Sequence, residues 1–256
     1  MKLALDRYAH LDSPIHRWEQ RSKLVGLLAL IFAFALVEDL ALLPGMVVVT
    51  LVLLGLSRLP LGFVLQRLRY PGLFIAAVVI FLPFMAGETV LWQWGWLTLR
   101  QEGFMATIAI ATRFICIITV SLILFGTAPF LTTIRALRSL GMPHTIVDMM
   151  LLSYRYIEEF GQTLTTMQRA MRLRGFQANR LNRRNLDRLA GLAGSLLIRS
   201  YERSQRVYEA MILRGYGHFS QSHQRVWLKQ ISKPDAIALG LTWTVAATFI
   251  VLEILR

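Results

Sequence analysis

The 256-residue sequence has little of what many catalytic and metal-binding sites require. It contains one cysteine, Cys116, inside an apolar run, so this chain alone offers no disulfide framework and no cysteine-based metal site. It also lacks the glycine-rich loop, followed by Lys and Ser or Thr, that holds nucleotide phosphates. No set of Asp, His, Ser and Cys gathers at catalytic spacing. We therefore expect no catalytic residue and no nucleotide site in this chain.

The histidines do not supply a metal site either. No pair has the His-x-x-x-His spacing that places two imidazoles on one helix face. Surface or capping roles are the simpler interpretation, and we expect no metal ligand in this chain. The five residues are His10, His16, His144, His218 and His223.

Apolar residues make up 55% of the chain, too much for an ordinary soluble domain, and several runs approach the ~20 residues that cross a bilayer. We predict an all-α integral membrane protein with about five transmembrane helices. A cytoplasmic coupling domain of one short and two long amphipathic helices completes the predicted fold. The polar, charged segment 1–23 argues against a cleaved signal peptide. The predicted spans are 24–37, 40–56, 72–86, 104–126 and 236–255.

Positive charge predicts the orientation, because Lys and Arg are retained on the cytoplasmic side of membrane proteins. The N-terminal segment and the connection holding Arg58, Arg67 and Arg69 are therefore expected in the cytoplasm. Trp92, Trp94 and Trp96 resemble an aromatic belt at the outer interface. Segment 127–235 returns to the cytoplasm with 17 Lys or Arg against 7 Asp or Glu, and the C-terminus lies outside. Loop charge thus accounts for most of the net +13, and we expect no nucleic-acid partner.

The predicted organisation follows from these spans. Residues 1–126 form the N-terminal cytoplasmic segment and four helices, 127–235 the coupling domain, and 236–256 the last span. In the coupling domain, a short helix is predicted over 130–140 and long helices over 143–174 and 186–214, from apolar residues at steps of three and four. Gly175 and Gly215 are placed to end the long helices in the left-handed conformation.

Both long helices end in the pattern Ala-Met-x-Leu-Arg-Gly-aromatic. Ala170 and Arg174 are four residues apart and share a helix face, and so do Ala210 and Arg214. A small residue allows another backbone to approach, and the arginine fork can bind partner carboxylates or carbonyls. One copy alone would suit a capped helix whose arginine stabilises the C-terminal dipole. Two copies favour docking to two similar partners.

These residues resemble the transmembrane T component of energy-coupling factor (ECF) transporters, most closely the cobalt and nickel type, the CbiQ family. The resemblance covers nearly the whole chain, and the double Ala-x-x-x-Arg-Gly pattern is its most specific mark. The other matching stretches are Asp6-Arg7-Tyr8, the stretch from Ser13 to Leu24, Thr127-Ala128-Pro129-Phe130, 151–156 and 195–200.

The resemblance implies a non-catalytic scaffold in the prokaryotic plasma membrane. Two cytoplasmic ATPase subunits would bind the ATP and receive the two helix ends, and the long helices would carry their movement to a CbiM-like substrate-capturing membrane subunit. The cargo would be cobalt, possibly nickel; a vitamin-type importer is the alternative. The implied docking residues are Ala170, Arg174, Gly175, Ala210, Arg214 and Gly215.

Arg113 is the remaining oddity, because it lies about ten residues into the fourth predicted span, where an arginine costs about 2.5–3.5 kcal/mol to insert. We expect it to face protein, in an orienting salt bridge within the bundle.

Two other classes of membrane protein stay open. One is an enzyme acting on the cytoplasmic leaflet, which the basic stretch 180–188 would suit. The other is a channel or secondary carrier, for which the spans hold few polar residues.

Overall fold

A computed structural model of the chain describes residues 11–85, 90–94, 97–176, 182–216 and 232–255. The fold over these ranges is helical, which confirms the predicted all-α class. The exception is a short antiparallel hairpin of β1 (Val90–Trp94) and β2 (Leu97–Arg100), where an outer connection was predicted. The helices are α1 (Pro14–Arg17), α2 (Gln20–Leu36), α3 (Leu43–Ser57), α4 (Leu61–Met85), α5 (Gln101–Gly126), α6 (Phe130–Ser139), α7 (His144–Leu173), α8 (Arg183–Leu213) and α9 (Lys233–Ile254).

The chain forms two compact units. The first, here called the bundle unit, comprises residues 5–140 and 230–256. The second, the two-helix unit, comprises residues 1–4 and 141–229, and its described helices are α7 and α8. Because α6 packs against α2, it belongs to the bundle unit. The division between the units therefore falls after Leu140. A cytoplasmic coupling domain over residues 127–235 stays a prediction.

Three helical segments of the described chain are long and apolar enough to span a bilayer: 40–57, 103–126 and 233–254. They match the second, fourth and fifth predicted spans. A helix pair, 61–73 and 75–82, would make a fourth span, although it bends by 51°. The first predicted span lies in α2, whose 17 residues extend about 25 Å, short of the ~30 Å of hydrocarbon. Helical membrane architecture is thus confirmed, and a total of five spans stays a prediction.

The predicted connection between the second and third spans is wrong. Arg67 and Arg69 lie within α4, and only residues 58–60 separate α3 from α4. The loop was predicted there because Arg58, Arg67 and Arg69 interrupt the apolar runs. A proline inside a helix removes one backbone hydrogen bond and can bend the helix without ending it, and the bend in α4 comes just after Pro71.

α2 is the centre of the bundle unit, packed against α5, α6 and α9. Leu27 and Phe34 are completely buried, and the Phe34 ring meets that of Phe249 on α9 edge to face, with centroids 5.4 Å apart. Such an aromatic pair adds about 1 kcal/mol beyond the area it buries. Gly26 permits this close packing, because a Cβ there would lie 2.5 Å from Thr242 Oγ1 of α9.

Two basic side chains fix the register of α2 against the antiparallel α5. Lys23, only 1% exposed, donates from Nζ to Thr127 Oγ1 at 3.0 Å and to the Ile15 carbonyl at 3.2 Å. Arg113 Nη2 of α5 donates to the Val37 carbonyl at the other end of α2. Lys23 and Val37 are fourteen residues apart, and so are Arg113 and Thr127. The two attachments are therefore equally spaced on both helices, at about 21 Å.

Arg113 faces protein, as predicted, but the expected salt bridge is not among the ion pairs of the described residues. Its partner is a main-chain carbonyl, which is available because Val37 follows the last turn of α2, where carbonyls lack an intrahelical donor. The same peptide group donates its N–H, that of Glu38, to Glu253 Oε1 of α9 at 3.1 Å. One peptide group thus lies between a guanidinium and a carboxylate and connects α2, α5 and α9.

Candidate partner-docking site

The two-helix unit is an antiparallel pair. Arg203 of α8 forms an ion pair of 2.6 Å with Glu159 of α7. Towards one end of the unit, the Tyr216 hydroxyl donates to Asp148 Oδ2 at 3.1 Å. Towards the other, Arg188 Nη1 approaches the Gly175 carbonyl to 3.5 Å. The C-terminus of each helix therefore lies beside the N-terminal part of its partner.

α7 ends in a Schellman motif, as its sequence predicts. Gly175 has a φ of +81°, which glycine adopts without the steric cost that a Cβ would bring. The Phe176 N–H then donates to the Met171 carbonyl at 3.0 Å, and the Gly175 N–H donates to the Arg172 carbonyl at 3.0 Å. These bonds satisfy carbonyls that the end of the helix would leave without a donor.

α8 ends in the same motif. Gly215 has a φ of +78°, the Tyr216 N–H donates to the Met211 carbonyl at 3.0 Å, and the Gly215 N–H donates to the Ile212 carbonyl at 2.8 Å. The repeated sequence thus produces a repeated backbone shape. If partners bind the two ends differently, the difference must come from the side chains of the ends.

The predicted docking side chains are available at both ends. Ala170 and Arg174 are exposed and share one face of α7, one turn apart. Ala210 and Arg214 have the same arrangement on α8. Neither Arg174 nor Arg214 enters an ion pair within the described part of the chain. Each end therefore presents a guanidinium beside a small residue, which suits a narrow groove with acceptors.

The leucine of the repeated pattern is a further exposed side chain at each helix end, beyond the predicted docking residues. Leu173 is 90% exposed and Leu213 is 89% exposed, and each directly precedes the motif arginine. The available signal is their recurrence: a leucine fills the same position in both copies, where an exposed helix end needs none. Burying such a side chain in a partner is worth about 1.5–3 kcal/mol.

The two ends point away from each other. Arg174 lies fifteen residues beyond Glu159 along α7, and Arg214 lies eleven residues beyond Arg203 along α8. At 1.5 Å per residue these stretches extend about 22 Å and 17 Å in opposite directions, so the arginines are up to about 40 Å apart. One small ligand cannot reach both ends, whereas two protein subunits can.

The described residues of α7 and α8 leave several grooves between them, and two of these grooves adjoin the helix ends. One, of about 480 Å³, adjoins the α7 end and contains Arg174, Phe176 and Arg188. The other, of about 800 Å³, lies between the first half of α7 and the last half of α8 and is largely apolar. The predicted apolar stripe of α7 partly faces this open groove and not a closed core. The main apolar residues that line the groove are Met149, Leu152, Tyr156, Ile157, Phe160, Val207 and Met211.

The histidines remain separate from this site. His16 shares a hydrogen bond of 2.6 Å with Ser13 Oγ at the start of α1, and His144 begins α7. His10, His218 and His223 lie outside the described residues. Within the ranges that the structure describes, no three His, Cys, Asp or Glu side chains are grouped closely enough to hold a metal ion.

The fold defines a helical integral membrane protein. The exposed side chains at its two helix ends suit contacts with other proteins. The family model described as cobalt transport protein, CbiQ, matches residues 12–226. The chain belongs to this family, as the resemblance predicted, and is a transmembrane T component of ECF transporters. It is thus a non-catalytic subunit.

Similar proteins cover the chain almost end to end. Three of them carry the name energy-coupling factor transporter transmembrane protein EcfT. The protein of Lacticaseibacillus paracasei is 29% identical over 84% of this chain and 85% of its own length. That of Limosilactobacillus fermentum is 28% identical over 97% and 96%, and that of Acidaminococcus fermentans 28% over 99% and 97%.

Proposed function

We propose that this chain is the coupling subunit of an ATP-driven importer of a divalent transition metal, cobalt or possibly nickel. The observation that carries the proposal is the pair of exposed helix ends with the same motif and the same backbone shape, up to about 40 Å apart. Each end receives one cytoplasmic ATPase subunit, and Ala170, Arg174 and Gly175 dock one of them. Ala210, Arg214 and Gly215 dock the other. ATP binds to these partners, so the chain needs no cofactor.

The charge distribution supports the orientation. The N-terminal segment and the two-helix unit lie in the cytoplasm, where the described part of the two-helix unit exposes many arginines. α9 then returns the C-terminus to the outside. With this orientation both docking ends are accessible to cytoplasmic ATPases.

The large apolar groove is where we place the second kind of partner, the substrate-capturing membrane subunit. Met149 and Ile157 are more than half exposed there, which a cytoplasmic surface rarely leaves uncovered. A substrate-capturing membrane subunit has the apolar surface to cover this groove. When the ATPases close, α7 and α8 move with their ends and shift the surface on which the capture subunit rests.

The metal cargo rests on the family description, cobalt transport protein. A vitamin-type importer is the second candidate, favoured by the relatives named only for energy coupling. The capture subunit selects the cargo in either case. The subunits that co-purify in mild detergent identify the capture subunit and so distinguish the two candidate cargoes. A CbiM-like capture subunit supports cobalt or nickel.

The docking residues are tested by Arg174→Ala, Arg214→Ala and the double variant. We expect the double variant to lose ATPase association and uptake of radioactive cobalt, while the capture subunit still binds its substrate. Arg206→Ala is the matched control, because it removes an exposed arginine of α8 two turns before the docking end. Normal complex assembly and uptake in the double variant would defeat the proposal.

A further inference from the structure

The two docking ends have the same backbone but different charge. Aligned by their motif alanines, they differ in charge at two positions: Arg169 corresponds to Glu209, and Arg172 corresponds to Ile212. All four of these side chains are exposed. From Met167 to Phe176 the α7 end carries three arginines and no acid, while the same stretch of α8 carries one arginine and one glutamate.

Neighbouring residues increase the contrast. At the α7 end, Arg188 of α8 lies in the same groove as Arg174 and approaches the Gly175 carbonyl. At the α8 end, a charged group of the opposite helix is instead the carboxylate of Asp148, which accepts the hydrogen bond from Tyr216. The difference within the described residues is therefore three charges along the helices and becomes larger when the opposite helix is included.

The extra arginines lie where a groove around the helix end would meet them. Arg169 and Arg172 are three residues apart and share one flank of α7, while Ala170 and Arg174 share the opposite flank. Leu173 lies between the flanks at the tip. A partner that encloses the tip therefore touches both flanks, and its rim faces Arg169 and Arg172.

We propose that the ATPase groove has an acidic rim that the α7 end engages through Arg169 and Arg172, whereas the α8 end lacks these arginines and docks through its leucine and single arginine. This inference rests on the proposed function and makes the two ATPase contacts unequal. Exposed charge pairs at a rim mainly accelerate association and weaken as salt screens them. The α7 contact is accordingly the salt-sensitive one.

The chain provides its own exchange variants. Arg169→Glu with Arg172→Ile gives the α7 end the charges of the α8 end, and Glu209→Arg with Ile212→Arg does the reverse. Arg199→Glu with Arg206→Ile applies the same change in net charge to exposed arginines of α8 away from both ends. The probe is the ATPase that co-purifies with the wild-type full-length chain, identified by mass spectrometry, then expressed and purified separately.

The measurement is the dissociation constant and association rate of this ATPase with each full-length variant in detergent, from 50 mM to 1 M salt. We expect the first variant to bind about tenfold more weakly at 50 mM, mainly through slower association, and to equal the wild type near 1 M, where the Debye length is ~3 Å. The reverse variant should bind more tightly at low salt. The Arg199/Arg206 control should change affinity less than twofold.

Equal salt dependence in the wild type and the first variant would overturn the inference, and so would a control that changes as much as the first variant. Neither result touches the proposed function, which has its own test in the ATPase binding of the Arg174→Ala/Arg214→Ala double variant. The two conclusions are therefore separable within one set of proteins.

Discussion

Replacing Leu173 and Leu213 by serine should weaken ATPase binding without weakening the fold. Both side chains are about nine-tenths exposed in the free chain, so their loss removes almost no internal packing. A leucine fully buried in a partner contributes about 1.5–3 kcal/mol. With 1.4 kcal/mol for each factor of ten, each serine should raise the dissociation constant about tenfold to a hundredfold.

The assay compares ATPase binding and thermal unfolding for Leu173→Ser, Leu213→Ser and the double variant. Leu197→Ser is the matched control, because Leu197 is an exposed leucine of α8 remote from both ends. Surface substitutions of this kind change the free energy of unfolding by no more than about 0.5 kcal/mol. Unchanged binding, or binding that falls together with the unfolding temperature, would refute the reasoning.

Three further predictions concern the backbone and the bundle. Gly175→Ala should reduce ATPase binding and destabilise the α7 end by about 1–2 kcal/mol, because alanine is strained at a φ of +81°; hydrogen exchange at the end of α7 measures this. Gly26→Val should lower the unfolding temperature in detergent, because the new Cβ would collide with Thr242; a rise would contradict the packing. Arg113→Met should destabilise the chain more than Arg113→Lys, since lysine can still donate to the Val37 carbonyl; equal unfolding temperatures would count against the hydrogen bond.

The helix ends could be predicted from the sequence because their causes are local. Gly175 and Gly215 need only their own positive φ and the preceding turn to end a helix. The face shared by Ala170 and Arg174 follows from helical spacing alone. Fewer than ten residues are therefore enough to predict the backbone shape of each helix end.

Features that depend on distant partners could not be predicted. Lys23 appears from the sequence to be a charge flanking a span, but Thr127 and Ile15 accept its hydrogen bonds in the interior. Arg113 was expected to need a carboxylate, while the free carbonyl of Val37 depends on where α2 ends. The exposure of Leu173 has a similar origin, because it depends on which surfaces the rest of the fold leaves uncovered.

Docking at both helix ends sets the number of ATPase subunits that each chain carries. Native mass spectrometry of the complex, purified in mild detergent through the full-length chain, gives this number. We expect two ATPase subunits on each wild-type chain and none on the Arg174→Ala/Arg214→Ala double variant. A single ATPase subunit on the wild type, or two retained by the double variant, would contradict docking at the paired helix ends.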